Sequence, residues 1–278
     1  MQTAIITGGT GGMGLATAKI MGRDHHVVLA DLNRERLDAA VAELEALDIS
    51  AEAIVIDITD RSSVDALVAT ANRSGELRAV VHTAGVSPQM GDAGFIVRIN
   101  ALGTVNVVNS ALAVASEGFA VVNVASIAGH TAPRVLVSKR RNRLALTDPT
   151  RFTEKLTSAV RLVPKGLRTG IAYGLSKQFV IWYSQAMAAA FGAKGARILS
   201  VSPGSFDTSM GRLEKKSGSE RLLLAAALKR FGTPEEMAEL LAFCASDRAG
   251  YLTGVDILND GGTRAGFTPA VALKIARG

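Results

Sequence analysis

Short apolar blocks recur along this chain, and the polar residues between them change period. Residues 3–7, 27–30, 53–56, 78–82 and 120–124 are runs of mostly apolar positions with no alternating polar face. Such runs predict strands buried on both sides. Between them apolar positions return at intervals of three and four. Leu37, Val41, Leu44 and Leu47 mark an amphipathic helix over 34–47. The same spacing predicts helices near 13–22, 61–73 and 97–115, then near 172–191 and 234–246, with a helical stretch near 209–229. Further strands are predicted near 196–201 and 255–258. Strands and helices alternate throughout, so the expected fold is α/β, a doubly wound parallel sheet with helices on both faces. One domain is expected to span 1–278.

One segment breaks the rhythm. Residues 130–172 are polar, basic and weakly periodic, and read as an insertion. They hold ten Lys and Arg residues against only Asp148 and Glu154, a local charge of +8 in a chain whose total is +6. The rest of the sequence is therefore slightly acidic, and the basic character belongs to one segment rather than to a nucleic-acid-binding fold. Phe152 is the only aromatic there, which leaves bases nothing to stack on. At 278 residues, 48 % hydrophobic and 20 % charged, the chain can bury a sizeable core. The lone Cys244 sits in Leu241-Ala-Phe-Cys-Ala245, reads as a buried helix face, and allows no internal disulfide. Polar residues interrupt every apolar stretch before it could span a bilayer, and the first strand starts too early for a signal peptide. A cytoplasmic protein with no metal site and no nucleic-acid or membrane partner is the expectation.

Two motifs carry chemistry. Gly8, Gly12 and Gly14 fall between the first strand and the first helix. A glycine-rich turn there lets backbone approach a pyrophosphate and offers it free helix N–H groups. Asp31 closes the second strand, where a carboxylate can accept the adenosine ribose hydroxyls and repel a 2′-phosphate. That favours NAD(H), although Arg34 nearby could compensate a phosphate; the other reading of Asp31 is a cap on the next helix. Tyr173 and Lys177 stand at i and i+4, on one helix face. A free phenol has a pKa of about 10, and a neighbouring ammonium favours its phenolate. Ser126 ends the strand run Val121-Val-Asn-Val-Ala-Ser126, where its hydroxyl could donate to a substrate oxygen.

On these residues the chain resembles the short-chain dehydrogenase/reductase superfamily, whose fold is Rossmann-like. Thr7-Gly8-x-x-x-Gly12-Met13-Gly14 resembles the family's cofactor turn. Asp57 and Ile58 stand where the family contacts adenine. Thr83-Ala84-Gly85 replaces the family's Asn-Ala-Gly, with Thr83 as the departure. Asn100, Ser126, Tyr173 and Lys177 match the catalytic Asn, Ser, Tyr and Lys. Pro203-Gly204-x-x-x-Thr208 matches the segment that holds the nicotinamide carboxamide, and Asp260-Gly261-Gly262 the C-terminal turn. The resemblance implies NAD-dependent hydride transfer on a secondary alcohol or ketone, by a homo-oligomer, dimer or tetramer. The long stretch from Ser126 to Tyr173 and the short one from Gly85 to Asn100 are similar to bacterial 3α-hydroxysteroid dehydrogenase/carbonyl reductases. In that branch the insertion masks an oligomerisation face, and a bulky hydrophobic substrate such as a hydroxysteroid is implied.

Alternatives stay open. The basic segment reads as a cover that remodels an interface, as a pocket wall, or as a patch for an acidic thioester carrier. Residues 205–230 are expected to cover the substrate, with Met210, Leu213, Leu222, Leu223, Leu224 and Leu228 either core or substrate wall. The tail, 263–278, either packs on a neighbouring subunit or frays. A non-catalytic NAD-binding regulator and a 3-oxoacyl-thioester reductase are the competing functions.

Overall fold

The computed structural model describes residues 1–216, 219–268 and 271. Seven strands form one sheet: β1 (Gln2–Thr7), β2 (His26–Asp31), β3 (Ala51–Val55), β4 (Glu76–His82), β5 (Ala120–Val124), β6 (Arg197–Pro203) and β7 (Asp256–Asn259). Their order is β3-β2-β1-β4-β5-β6-β7 and every pairing is parallel. The chain runs outward from β1 to β3, then returns to β4 on the other side of β1. That reversal opens a crevice at the carboxyl ends of β1 and β4, the ligand position of such sheets.

Alternate residues along each strand feed two cores. Ala4, Ile6, Val27 and Leu29 face α1 (Gly12–Met21), α2 (Arg34–Glu45) and α11 (Pro234–Ala245), where Leu37, Leu44, Met237, Leu241 and Cys244 complete the packing. Cys244 is fully buried, and burial pushes its thiol up to about 11. Ile5, Val28 and Val80 face α3 (Arg61–Ser74), α5 (Gly103–Val114) and α9 (Arg168–Gly192). Val64, Leu67, Val105, Phe179 and Tyr183 fill this second layer.

The predicted helix at 97–115 begins earlier and is irregular. A short α4 (Ala93–Val97) passes into a π-helical turn at Arg98–Leu102 before α5. The run Ala93–Val114 is long and apolar enough to cross a membrane by length and composition, yet 67 % of that window is buried inside the protein.

The expectation of weak periodicity over 130–172 was incomplete. Three helices lie in or just before that stretch: α6 (Ile127–Thr131), α7 (Lys139–Arg143) and the 13-residue α8 (Pro149–Arg161). Asp148 caps α8 by accepting from Arg151 N at 2.9 Å, and Pro149 occupies its first turn. Phe152, Leu156 and Val160 recur every four residues on one face and are fully buried. Phe152 meets Phe179 of α9 with ring centroids 4.2 Å apart. The segment thus contributes core as well as cover.

The helical stretch expected over 209–229 is also shorter, comprising α10 (Ser209–Lys216) and a 3-10 turn at Ser219–Leu224. Leu213, Leu224 and Leu228 are 43, 51 and 56 % exposed, so they are not core. The tail beyond Thr268, apart from Val271, lies outside the described residues.

Candidate active site

The glycine turn is shaped by backbone contact. Gly8 has φ +67°, a left-handed conformation, and a Cβ there would stand 2.7 Å from Ala84 N. A Cβ at Gly14 would overlap the Gly8 carbonyl oxygen. The turn is thereby pressed against the Thr83-Ala84-Gly85 segment that leaves β4. Thr83 strengthens the seam, donating from Oγ1 to Thr7 O at 2.8 Å and Gly8 O at 3.3 Å. The family's Asn is absent, and the threonine hydroxyl ties the two strand ends instead.

The N-terminus of α1, which follows the glycine turn directly, lacks a side-chain cap. α2, α3, α8 and α11 have side-chain caps from Asn33, Asp60, Asp148 and Thr233. α1 has Gly11 as its cap residue, no side-chain cap and no acidic residue in its first turn. Its first N–H groups and positive dipole end are left for an anion, which fits a dinucleotide pyrophosphate. Gly12 and Met13 open this helix. Thr208 leans over it, its Cγ2 lying 3.3 Å from where a Gly12 Cβ would be. Gly204 abuts Asp260 behind it, and the Thr208 hydroxyl accepts from Gly211 N at 2.9 Å. The 203–208 segment and the glycine turn, far apart in sequence, therefore share one edge.

Asp31 lies at the end of β2. One carboxylate oxygen accepts from Thr10 Oγ1 at 2.5 Å and Thr10 N at 3.3 Å, the other from Leu32 N at 2.8 Å. Asn33, not Asp31, caps the next helix. The suspicion attached to Arg34 also moves. Arg34 pairs with Asp38 at 2.9 Å, while Arg36 reaches back to donate to Thr10 O at 3.1 Å. Arg36 is the cation beside the Asp31 pocket, and the sequence reading passed over it. Asp57 is exposed after β3 and accepts from Thr59 N and Oγ1, both at 2.8 Å, with Ile58 buried behind it.

Deeper in the crevice, Asn100, Ser126 and the Tyr173–Lys177 pair come from three parts of the sequence. Asn100 sits in the π turn. Its amide grips Val86, accepting from Val86 N at 2.8 Å and donating to Val86 O at 2.9 Å. Lys177 is 6 % exposed and donates to Val124 O at 2.9 Å. A Cβ at Gly85 would be 3.1 Å from Asn100 Oδ1 and 3.3 Å from Lys177 Nζ, so the three converge. Lys177 Nζ lies 5.9 Å from the Tyr173 ring centroid. Ser126 caps α6, accepting from Ala128 N at 3.2 Å, which uses an oxygen lone pair and leaves the hydroxyl proton to donate.

Two supports were not foreseen. His82, at the end of β4, is fully enclosed by Thr7 Oγ1 at 2.7 Å and Thr104 Oγ1 at 3.2 Å. Burial, with help from the Lys177 charge, pushes its pKa down to about 3, so the ring is neutral. Thr104 in turn donates to Asn100 O at 2.8 Å. His130 pairs with Asp256 at 2.8 Å, and Asp256 also accepts from Ser200 and Ser202 at 2.5 and 3.0 Å. That cluster ties the chain after Ser126 to β7. Beside the 203–208 segment lies a cavity of about 150 Å³ walled by Phe206, Leu223, Leu228, Arg230 and Asp260.

A parallel sheet of this order with an uncapped glycine turn and a Ser–Tyr–Lys crevice defines a nucleotide-dependent oxidoreductase. The family model for short chain dehydrogenases matches residues 2–138, and that for enoyl-(acyl carrier protein) reductases matches 156–264. The chain is 30 % identical to 2-(S)-hydroxypropyl-CoM dehydrogenase 3 of Xanthobacter autotrophicus, covering 95 % of this chain and 97 % of that one. It is 26 % identical to the 3-oxoacyl-[acyl-carrier-protein] reductase FabG of Thermotoga maritima, over 94 and 97 % of the two chains. It is 27 % identical to 3beta-hydroxysteroid dehydrogenase 2 of Eggerthella lenta, over 95 % of each. Levodione reductase shares the fold with a TM-score of 0.76 at 24 % identity, covering 96 and 98 %. The chain belongs to the short-chain dehydrogenase/reductase superfamily, oxidoreductases that bind a nicotinamide cofactor.

Proposed function

We propose that this protein transfers a hydride between NAD(H) and a secondary alcohol or ketone, with a bulky hydrophobic substrate of the hydroxysteroid kind. The observation that carries the reading is the convergence of Gly85, Asn100 and Lys177 beside Tyr173, with Ser126 two residues beyond the Val124 carbonyl that Lys177 binds. Gly8, Gly12, Met13 and Gly14 would receive the pyrophosphate. Asp31 would receive the adenosine ribose, Asp57 and Ile58 the adenine, and Ala84 and Gly85 would line the crevice. Pro203, Gly204 and Thr208 would hold the carboxamide end. Bound there, the nicotinamide supplies the hydride chemistry.

The chain's own residues handle the proton. Tyr173 takes the hydroxyl proton on oxidation and returns it on reduction. Lys177, fixed by Val124 O, holds a positive charge near the ring and favours the phenolate. Ser126 donates its proton to the substrate oxygen and steadies developing charge. Asn100 fixes the Val86 backbone and with it the wall beside Lys177. Preference for NAD(H) over NADP(H) is supported by the Asp31 carboxylate, which a 2′-phosphate would meet at close range.

A hydrophobic substrate is supported by the exposed Leu213, Leu224 and Leu228 in the 205–230 segment, and by a relative that carries a hydroxysteroid name. The second reading, reduction of 3-oxoacyl thioesters, draws on the Thermotoga relative's name. Homo-oligomerisation as a dimer or tetramer follows from the family resemblance. The packing of α8 on α9 supports an assembly through other faces.

The test is a panel of hydroxysteroids, aliphatic secondary alcohols and 3-hydroxyacyl thioesters, with NAD⁺ and NADP⁺ offered in parallel. Tyr173→Phe is expected to abolish turnover while cofactor binding, read by calorimetry, survives. Turnover retained in that variant removes Tyr173 from the chemistry.

A further inference from the structure

Eight of the ten cations in 130–172 are exposed, and among the described residues none of the ten pairs with a carboxylate. Elsewhere pairing is mixed: Lys19, Arg34, Arg61, Arg78, Arg212 and Arg230 have carboxylate partners within 3.3 Å, and other cations such as Arg23 and Arg73 have none among the described residues. Of the ten, only Arg141 and Arg168 are engaged by the fold, and both bind backbone carbonyls.

Helix α8 orders part of this charge. Its buried stripe of Phe152, Leu156 and Val160 turns the other side of the helix to solvent, where Arg151, Lys155 and Arg161 are exposed with a single carboxylate, Glu154, among them, and Leu162 follows at the helix end. The chain then turns sharply. Arg168 shapes the turn by donating to Val163 O at 2.8 Å and Arg161 O at 2.7 Å. Leu162 is 86 % exposed and Leu167 60 % exposed, with Lys165 between them. Nothing lies within 4 Å of a Cβ built at Gly166. Two leucines therefore project into open space from a cationic turn.

We propose that the outer face of α8 and the turn at 161–168 form a docking surface for an anionic lipid bilayer. Arg151, Lys155, Arg161 and Lys165 would meet the headgroups, and Leu162 and Leu167 would enter the acyl boundary. Charge complementarity selects the partner. A second copy of the chain would set this cationic face against itself across a two-fold axis. A nucleic acid would find little to stack on beyond Phe95, 36 % exposed at the edge of this face, since Phe152 is fully buried. An acidic protein would match the charge but would have to supply pockets for two outward leucines, whereas a bilayer receives them wherever it is touched. The expectation of no membrane partner rested on the lack of a spanning stretch, and surface docking needs none. The site also gains a route. Tyr173 lies five residues beyond Arg168 in α9, about 8 Å along the helix axis. On the function proposed above, an apolar alcohol leaving the lipid would arrive near the phenol.

The experiment is co-sedimentation of the full chain with vesicles of phosphatidylcholine alone or with about 30 % phosphatidylglycerol, at about 0.05 and about 0.5 M salt. No substrate is involved, so its outcome is independent of the activity assay. Binding is expected only to the anionic vesicles, and weaker at the higher salt. Arg161→Gln with Lys165→Gln should lower the partition coefficient about 25-fold, at about fivefold per cation. Leu162→Ser with Leu167→Ser, which leaves charge unchanged, should lower it about tenfold. Equal binding to both vesicle types, or binding to neither, overturns the proposal. So does full binding by the leucine variant, which would make the surface a purely electrostatic patch. A change of oligomer mass in the variants would assign the face to a second copy instead and equally overturn it.

Discussion

The crevice edge and the basic segment hold their shape by opposite means. At the edge, backbone touches backbone. Gly8 presses on Ala84, Gly204 on Asp260, and a buried polar chain of Thr7, His82 and Thr104 runs beneath. In the basic segment one stripe of three side chains, Phe152, Leu156 and Val160, secures a helix whose other side is largely exposed. The difference teaches where each region should fail. Damage at the edge should appear in ligand binding and pH response, damage to the segment's buried stripe in stability, and damage to its outer face in vesicle binding.

The largest expected effect is acidification. His82 has a folded pKa of about 3 against about 6.5 in an unfolded chain, so the unfolded state binds a proton that the folded state refuses. Its contribution is complete above pH 6.5 and is lost as pH falls toward 3. The loss is of order 5 kcal/mol. Denaturant unfolding across that range should show a steep decline, flattened in His82→Gln. Next comes Phe152→Ala, expected to cost about 4 kcal/mol in the same assay while cofactor affinity stays unchanged. A large affinity loss in this variant would break the contrast between the regions. Gly8→Ala should do the reverse, lowering cofactor affinity about a hundredfold by calorimetry, since a side chain there is strained and meets Ala84. Smallest is Arg151→Gln with Lys155→Gln, expected to stay within about 0.5 kcal/mol of the parent in stability.

The same contrast explains what could be read from sequence. The alternation of strands and helices and the glycine turn were legible because strands buried on both faces and small residues at a strand–helix junction leave local traces. Tyr173 and Lys177 were legible through their spacing on one helix. Phe152, Leu156 and Val160 also keep a regular interval, but Arg151, Glu154 and Lys155 between them lower the average hydrophobicity, so the stripe was taken for a polar stretch. His82 left no local trace. Its partners Thr7 and Thr104 are 75 and 22 residues away, and only the adjacency of β1 and β4 brings them together. Arg36 was missed in favour of Arg34 because both lie in one helical turn, and the Asn33 cap decides which of them faces Thr10.

The π turn at Arg98–Leu102 accommodates one residue more than a regular helix would. Removing Ala101 would restore an unbroken α-helix with its flanks still in phase and would rotate the residues inside the turn, carrying Asn100 away from Val86. No single substitution reproduces that rotation. The position of this asparagine is held by the count of residues in the helix, so gaining or losing the arrangement is a matter of insertion and deletion rather than of side-chain replacement.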